Sequence, residues 1–270
     1  MRTTTLMLWF VMGISGHLTG QSKEVKTSGL VIGDVVSFYS NELQEDRSVN
    51  IYLPQGYDPE VNIKYPVIYL LDGSIDEDFL HIVGIVQFGS FSWINMIPPS
   101  IVVGIANVDR KRDFTYPSRD KRDQEGLPTS GGSATFIKYL QNELIPFIGS
   151  SYKVNDTTTL IGQSLGGLIA SEILHKFPRT FTNYIIVSPS LWWDEERMLI
   201  EKIPDLSHQQ SVYIAVGKEG DVMERVARAL FDRLSHHEKT FFEFLEDKDH
   251  GDALHQAVYN AFTLIFQKQK

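Results

Sequence analysis

The chain contains no cysteine. That excludes a disulfide framework, a thiolate metal site and a lipid anchor on an N-terminal cysteine. Positive charge is scarce, with 25 Lys and Arg against 34 Asp and Glu and a formal charge of -9 at pH 7. Nucleic acid and anionic membrane surfaces, which reward cationic proteins, are therefore excluded as partners. No His-Glu-x-x-His arrangement is present, and His236 and His237 are adjacent and would point apart on a helix, so neither a metal nor another cofactor is expected. There is also no internal repeat, low-complexity tract or Pro/Gly linker to divide the chain.

What is present first is an apolar start. Arg2 precedes a run from Leu6 to Ile14 that ends in small and polar residues, the pattern of a cleavable signal peptide over 1–21. The run is too short to be a stable membrane anchor. A periplasmic or secreted location is expected, with residues 22–270 forming one domain. Hydrophobic residues at 42% give that domain enough material for a core without disulfides.

The hydrophobic pattern then changes character along the chain. Over 29–40 and 47–53 apolar residues alternate with polar ones, as in half-buried strands forming an antiparallel pair at a sheet edge. Continuous apolar runs follow at 67–71, 101–105, 184–187 and 212–216, which is how strands covered on both faces read. Helical patterns lie between or after them at 78–87, 133–148, 167–177, 222–234 and 253–266. Such alternation implies an α/β fold, a mostly parallel central sheet with helices on both faces. The stretch 109–130 is polar, charged and read as a long loop.

Residues 157–161 are largely β-branched, and Gly162-Gln163-Ser164-Leu165-Gly166 follows before a helical pattern. Strand, G-x-S-x-G and helix together read as the strained turn that presents a serine nucleophile in an α/β-hydrolase, with both flanking glycines required by close packing. Ser164 is the candidate nucleophile. A serine hydroxyl needs a base to take its proton, and in this architecture the order along the chain is serine, acid, histidine. Of eight histidines, His17 falls in the leader and His81 precedes the serine. His175, His236, His237 and His255 fall in or at the ends of helices, and His208 precedes the strand that should carry the acid. His250 remains, between the strand pattern 240–245 and the last helix, where Asp252 is expected to cap that helix. The acid is Glu219 or Asp221. Glu219 is favoured because Asp221 occupies the expected N-cap of the helix beginning near Val222. Donors for a developing oxyanion are expected from the amide of Leu165 and, in the loop after the strand pattern 67–71, from that of Ser74, where Gly73, expected at the substrate site, lets the backbone turn.

Several segments resemble the esterase family of α/β-hydrolases that includes siderophore esterases, feruloyl-type esterases, S-formylglutathione hydrolases and mycolyltransferases. They are Tyr69-Leu70-Leu71-Asp72-Gly73, Arg112-Asp113-Phe114-Thr115-Tyr116-Pro117, Gly162-Gln163-Ser164-Leu165-Gly166-Gly167, Ser188-Pro189-Ser190-Leu191-Trp192-Trp193, Glu219-Gly220 with Met223, and His250-Gly251. Leu191-Trp192-Trp193 and the Glu-Gly-x-x-Met spacing are most similar to the siderophore esterase branch. The resemblance implies an α/β-hydrolase fold and ester hydrolysis through an acyl-serine. It also favours Glu219 as acid, although some relatives use a serine–histidine pair alone. It further implies that Trp192 and Trp193 border the pocket, where they could stack on an aromatic acyl group of a small-molecule or glycan-linked ester. Acyl transfer to a sugar or lipid hydroxyl with the same residues, and ligand binding without catalysis, are the alternative functions. Oligomeric state is not indicated by the sequence.

Overall fold

The apolar runs become strands because every second side chain finds cover on each face of one sheet. The structure, a computed structural model, describes residues 25–202, 205–209 and 211–266. Two units are distinguished, 1–31 and 32–270, and the described part of the first, 25–31, has no regular secondary structure. The expected leader at 1–21 lies outside the described residues.

The strands are β1 (Asp34–Ser40), β2 (Glu45–Tyr52), β3 (Tyr65–Leu70), β4 (Ile101–Ile105), β5 (Val154–Gln163), β6 (Asn183–Val187), β7 (Ser211–Gly217) and β8 (Thr240–Leu245). They form one sheet in the order β1-β2-β4-β3-β5-β6-β7-β8. The β1–β2 and β2–β4 pairs are antiparallel and the rest parallel. The helices, in chain order, are α1 (Phe79–Ser90), α2 (Arg110–Asp113), α3 (Lys121–Gly126), α4 (Ser133–Tyr139), α5 (Ile145–Ser151), α6 (Leu165–Lys176), α7 (Trp193–Glu196), α8 (Asp221–Leu234) and α9 (Ala253–Ile265). Tyr184, Ile186, Val212, Ile214 and Val216 pack with α4, α5, α6 and α8 on one face. Their neighbours Ile185, Val187, Tyr213 and Ala215 pack with α1 and α9 on the other. Burying one such side chain contributes about 1.5–3 kcal/mol.

Away from the serine turn, the structure departs from the sequence reading at several points. The first strand begins at Asp34 rather than Gly29. The helix expected over 133–148 runs to Ser151, with a π-turn at Leu140–Leu144 just before Pro146, which has no amide hydrogen to continue the ladder. Asp252 does not cap α9, because its carboxylate instead accepts the amide of Asp249 at 2.7 Å and faces Lys248 at 3.4 Å. The charged stretch 109–130, read as a long loop, is partly helical, buried in its first part and exposed along α3. It holds α2 and α3 and buries Asp113, Phe114 and Tyr116. Charges of α2 are paired with β2, with buried Arg47 donating to Asp113 at 2.8 Å and lying over the rings of Phe136 and Tyr139, while Arg112 pairs with Glu45.

Candidate active site

All the parallel strands point their carboxyl ends at one edge, so the loops after β3, β5, β6, β7 and β8 gather there. Ser164, immediately after β5, has φ 60° and ψ -120°, a left-handed conformation unusual for a residue with a side chain. The turn is held by Ser164 N–H donating to the Val187 carbonyl at 3.1 Å and by Ser190 N–H donating to the Ser164 carbonyl at 3.0 Å. A Cβ at Gly162 would lie 2.3 Å from the Gly166 carbonyl oxygen, so glycine is required there. Gly166 is less confined than expected, since a Cβ would meet only Asp72 Oδ2 at 3.3 Å and Leu71 beyond it. Gly167 is the tighter position, at 2.9 Å from Pro189 Cα.

The loop after β7 carries Glu219 and the loop after β8 carries His250. Their side chains meet, His250 Nδ1 to Glu219 Oε2 at 2.5 Å. Glu219 is 2% exposed at the side chain and His250 49%, so a buried carboxylate faces a ring that reaches solvent. The other oxygen, Oε1, accepts the Gly217 amide at 3.0 Å and the Ser188 hydroxyl. Burial alone would raise the Glu219 pKa, but the hydrogen bonds from His250, Ser188 and Gly217 outweigh it and hold the carboxyl below the usual range. The hydrogen bond to Glu219 raises the His250 pKa above its ordinary 6.5, against the opposing pull of desolvation. Asp221 is the first residue of α8, after the N-cap Gly220 with φ 90°, so the expected capping by Asp221 is not observed. Glu224 instead accepts the Glu219 and Gly220 amides at 3.0 and 2.9 Å.

Gln163 ties the serine to the histidine loop by donating from Nε2 to the His250 carbonyl at 2.5 Å. No hydrogen bond joins Ser164 Oγ to the His250 ring among the described residues; the hydroxyl lies 3.4 Å from Ser190 Oγ. Leu165 opens α6, and no acceptor takes its amide among the described residues. Ser74 differs, because its amide donates to Glu77 Oε2 at 3.0 Å. Both backbone groups of Gly73 are also used, its N–H by Ile105 and its carbonyl by Asn50. A Cβ at Gly73 would fall 2.4 Å from Gly104 Cα, so the close approach of β4 dictates the glycine. Arg110 forks onto Asp72 at 2.6 and 2.8 Å and reaches the Gln163 carbonyl at 3.3 Å, while Asn107 bridges Asp72 and Glu77.

The two tryptophans separate. Trp193 is fully buried and donates from Nε1 to the Tyr116 carbonyl at 2.8 Å, which leaves Trp192, 37% exposed, as the one open to a ligand. Asp194, Glu195 and Glu196 follow in left-handed conformations, with Asp194 accepting the Arg119 amide at 2.7 Å. Trp192, Glu195 and Glu196 line a cavity of about 470 Å³ with Asp120, Arg122 and Asp123 of the charged stretch. Ser188, Gln163, Asn107 and Arg110 had no assigned role in the sequence reading. Ser188 could have been found as the first residue beyond the β6 run, at the same sheet edge as Ser164.

A mostly parallel eight-stranded sheet, antiparallel at its N-terminal edge and presenting a serine on a strained turn between strand and helix, is an α/β-hydrolase. The chain belongs to the family described as "Putative esterase", which matches residues 40–262. It is 31% identical over 168 residues to the ferri-bacillibactin esterase BesA of Bacillus subtilis (strain 168), a match covering 57% of this chain and 58% of that one. The chain thus spans little more than half the length of that relative. Among solved structures it is similar to an IroE-like serine hydrolase from Shewanella oneidensis, at 26% identity and TM-score 0.76 over 87% of this chain and 80% of the other. It is also similar to the BES protein from Bacillus cereus, at 26% identity and TM-score 0.77 over 91% and 99%.

Proposed function

We propose that this protein hydrolyses carboxylic esters through an acyl-serine, with Ser164 as nucleophile, His250 as base and then acid, and Glu219 orienting the imidazole. The observation that carries the reading is the bond from His250 Nδ1 to a buried carboxylate with two further donors, in a loop tied to the residue before Ser164. That bond fixes Nδ1 as the protonated nitrogen and leaves Nε2 with a free lone pair, the form a base needs. The reaction requires the Ser164 hydroxyl to turn from Ser190 towards Nε2.

As the serine oxygen attacks the ester carbonyl, its proton passes to Nε2, and the imidazolium then returns that proton to the departing alkoxide. Water adds to the acyl-serine by the same route and releases the acid. The Leu165 amide donates to the oxyanion throughout. The Ser74 amide joins it when the Glu77 carboxylate turns aside. Hydrolysis is preferred over acyl transfer because the His250 ring is half exposed and water reaches it. The substrate class we favour is a small ester with an aromatic acyl group stacked on Trp192, in keeping with the siderophore esterases among the relatives. Incubation with aryl and alkyl esters, with and without an added alcohol acceptor, tests this. Free acid as the main product and faster turnover of aryl acyl groups are expected, while transfer to the alcohol as the main product would contradict it.

A further inference from the structure

Helices α1 and α9 lie side by side on the face of the sheet away from α6 and α8, with His81 stacked on His255 at 4.6 Å and Phe88 on Tyr259 at 6.5 Å. Neither helix contains an Asp, Glu, Lys or Arg, and none occurs anywhere from 79 to 108 or from 253 to 266. In a chain that is 22% charged, that is a strong departure. The opposite face differs, since α8 alone carries Asp221, Glu224, Arg225, Arg228, Asp232 and Arg233. The uncharged face is also aromatic. Trp93 is 75% exposed and stacks on Phe91 at 4.6 Å, Phe91 meets Phe88 at 6.4 Å, and Phe88, 42% exposed, continues to Tyr259, 38% exposed. Four rings in a row at the surface form a contiguous apolar patch rather than scattered apolar side chains.

We infer that this face is where two copies of the chain associate about a two-fold axis. The charge distribution selects that occupant. Two copies of a chain with net charge -9 repel each other wherever acidic surfaces meet, and here the one carboxylate at the margin, Asp78 at the start of α1, is paired with His255 at 3.5 Å. A cationic partner would find on this face only Asp78, already beside His255, and an anionic lipid surface would find no lysine or arginine in either helix. Aromatic residues with few charges are the composition of an interface core, and a two-fold axis brings the same ladder to both sides. The face begins at the catalytic edge, since α1 follows the Gly73–Ser74 turn and α9 follows His250.

Sedimentation velocity of the full chain across micromolar concentrations tests the inference. Twice the chain mass is expected for the wild type. Tyr259→Glu and Phe88→Glu, each placing a like charge on both sides of the axis, are expected to weaken association at least about tenfold. Val222→Glu, at a residue exposed on α8, should leave it unchanged. Circular dichroism and thermal unfolding confirm that each variant is folded. A wild type that stays monomeric, or a folded Tyr259→Glu that remains as dimeric as the wild type, overturns the inference. So would a monomer that binds phosphatidylcholine vesicles through Trp93, which would assign the face to lipid.

Discussion

Across the site, Glu219 and His250 are already joined at 2.5 Å, and Glu219 has two further donors, whereas Ser164 and Ser74 have their polar groups turned to Ser190 and Glu77. The difference follows from burial. A carboxylate shut away from water must be fully hydrogen-bonded, so the Glu219–His250 half is assembled by folding itself. The groups proposed as nucleophile and oxyanion donor have to be available to a substrate, and in its absence Ser190 and Glu77 are their partners. Preorganisation is thus concentrated where charge is buried.

The largest effect should come from emptying the assembled half. His250→Ala is expected to lower kcat on the order of 10⁴-fold, measured on an activated aryl ester. Glu219→Gln should cost about a hundredfold or more, because the imidazole loses both its orientation and its counter-charge, while Asp221→Asn costs little. The reverse ranking would assign the acid to Asp221. Direction in pH follows from the same pair. The base must be neutral to work, and Glu219 raises the His250 pKa, so the acid limb of kcat/KM in the wild type falls above pH 6.5 and moves down in Glu219→Gln. The linked stability contribution runs the other way. It is present below the unfolded pKa of His250 and lost as pH rises through the folded one.

Smaller contrasts separate neighbouring residues. Trp193→Ala should destabilise the fold by about 3–5 kcal/mol in urea unfolding, since it empties a buried site and orphans the Tyr116 carbonyl. Trp192→Ala should leave stability unchanged and raise KM for aryl esters. Ser188→Ala, which removes one donor from Glu219, should lower kcat by about tenfold while leaving KM unchanged, as expected for a residue that acts through the carboxylate. An equal loss in Ser188→Ala and Glu219→Gln would mean that the hydroxyl does more than hold the acid.

The strands, the strained turn at Ser164 and the loops that bring His250 against Glu219 were legible in the sequence because each depends on local pattern and order: an apolar run of strand length, a glycine pair around a serine, and a histidine after the last strand. What was missed depends on which side chains meet. Asp252 and Asp221 sit at helix starts, where a carboxylate usually caps, but the Asp252 carboxylate accepts the Asp249 amide instead and Gly220 holds the N-cap ahead of Asp221. The stretch 109–130 read as a long loop because the partners that bury its first part, Glu45 for Arg112 and Arg47 for Asp113, lie more than sixty residues away. That Trp193 is buried while Trp192 is open, and that Glu77 holds the Ser74 amide, are matters of packing that spacing does not encode.

The central claim, that Ser164 is a nucleophile served by His250, is tested most directly by labelling with a fluorophosphonate. The wild type should be modified on Ser164, His250→Ala only slowly, and Ser164→Ala not at all. A folded wild type that does not react, or a Ser164→Ala variant that reacts equally well, would contradict the account.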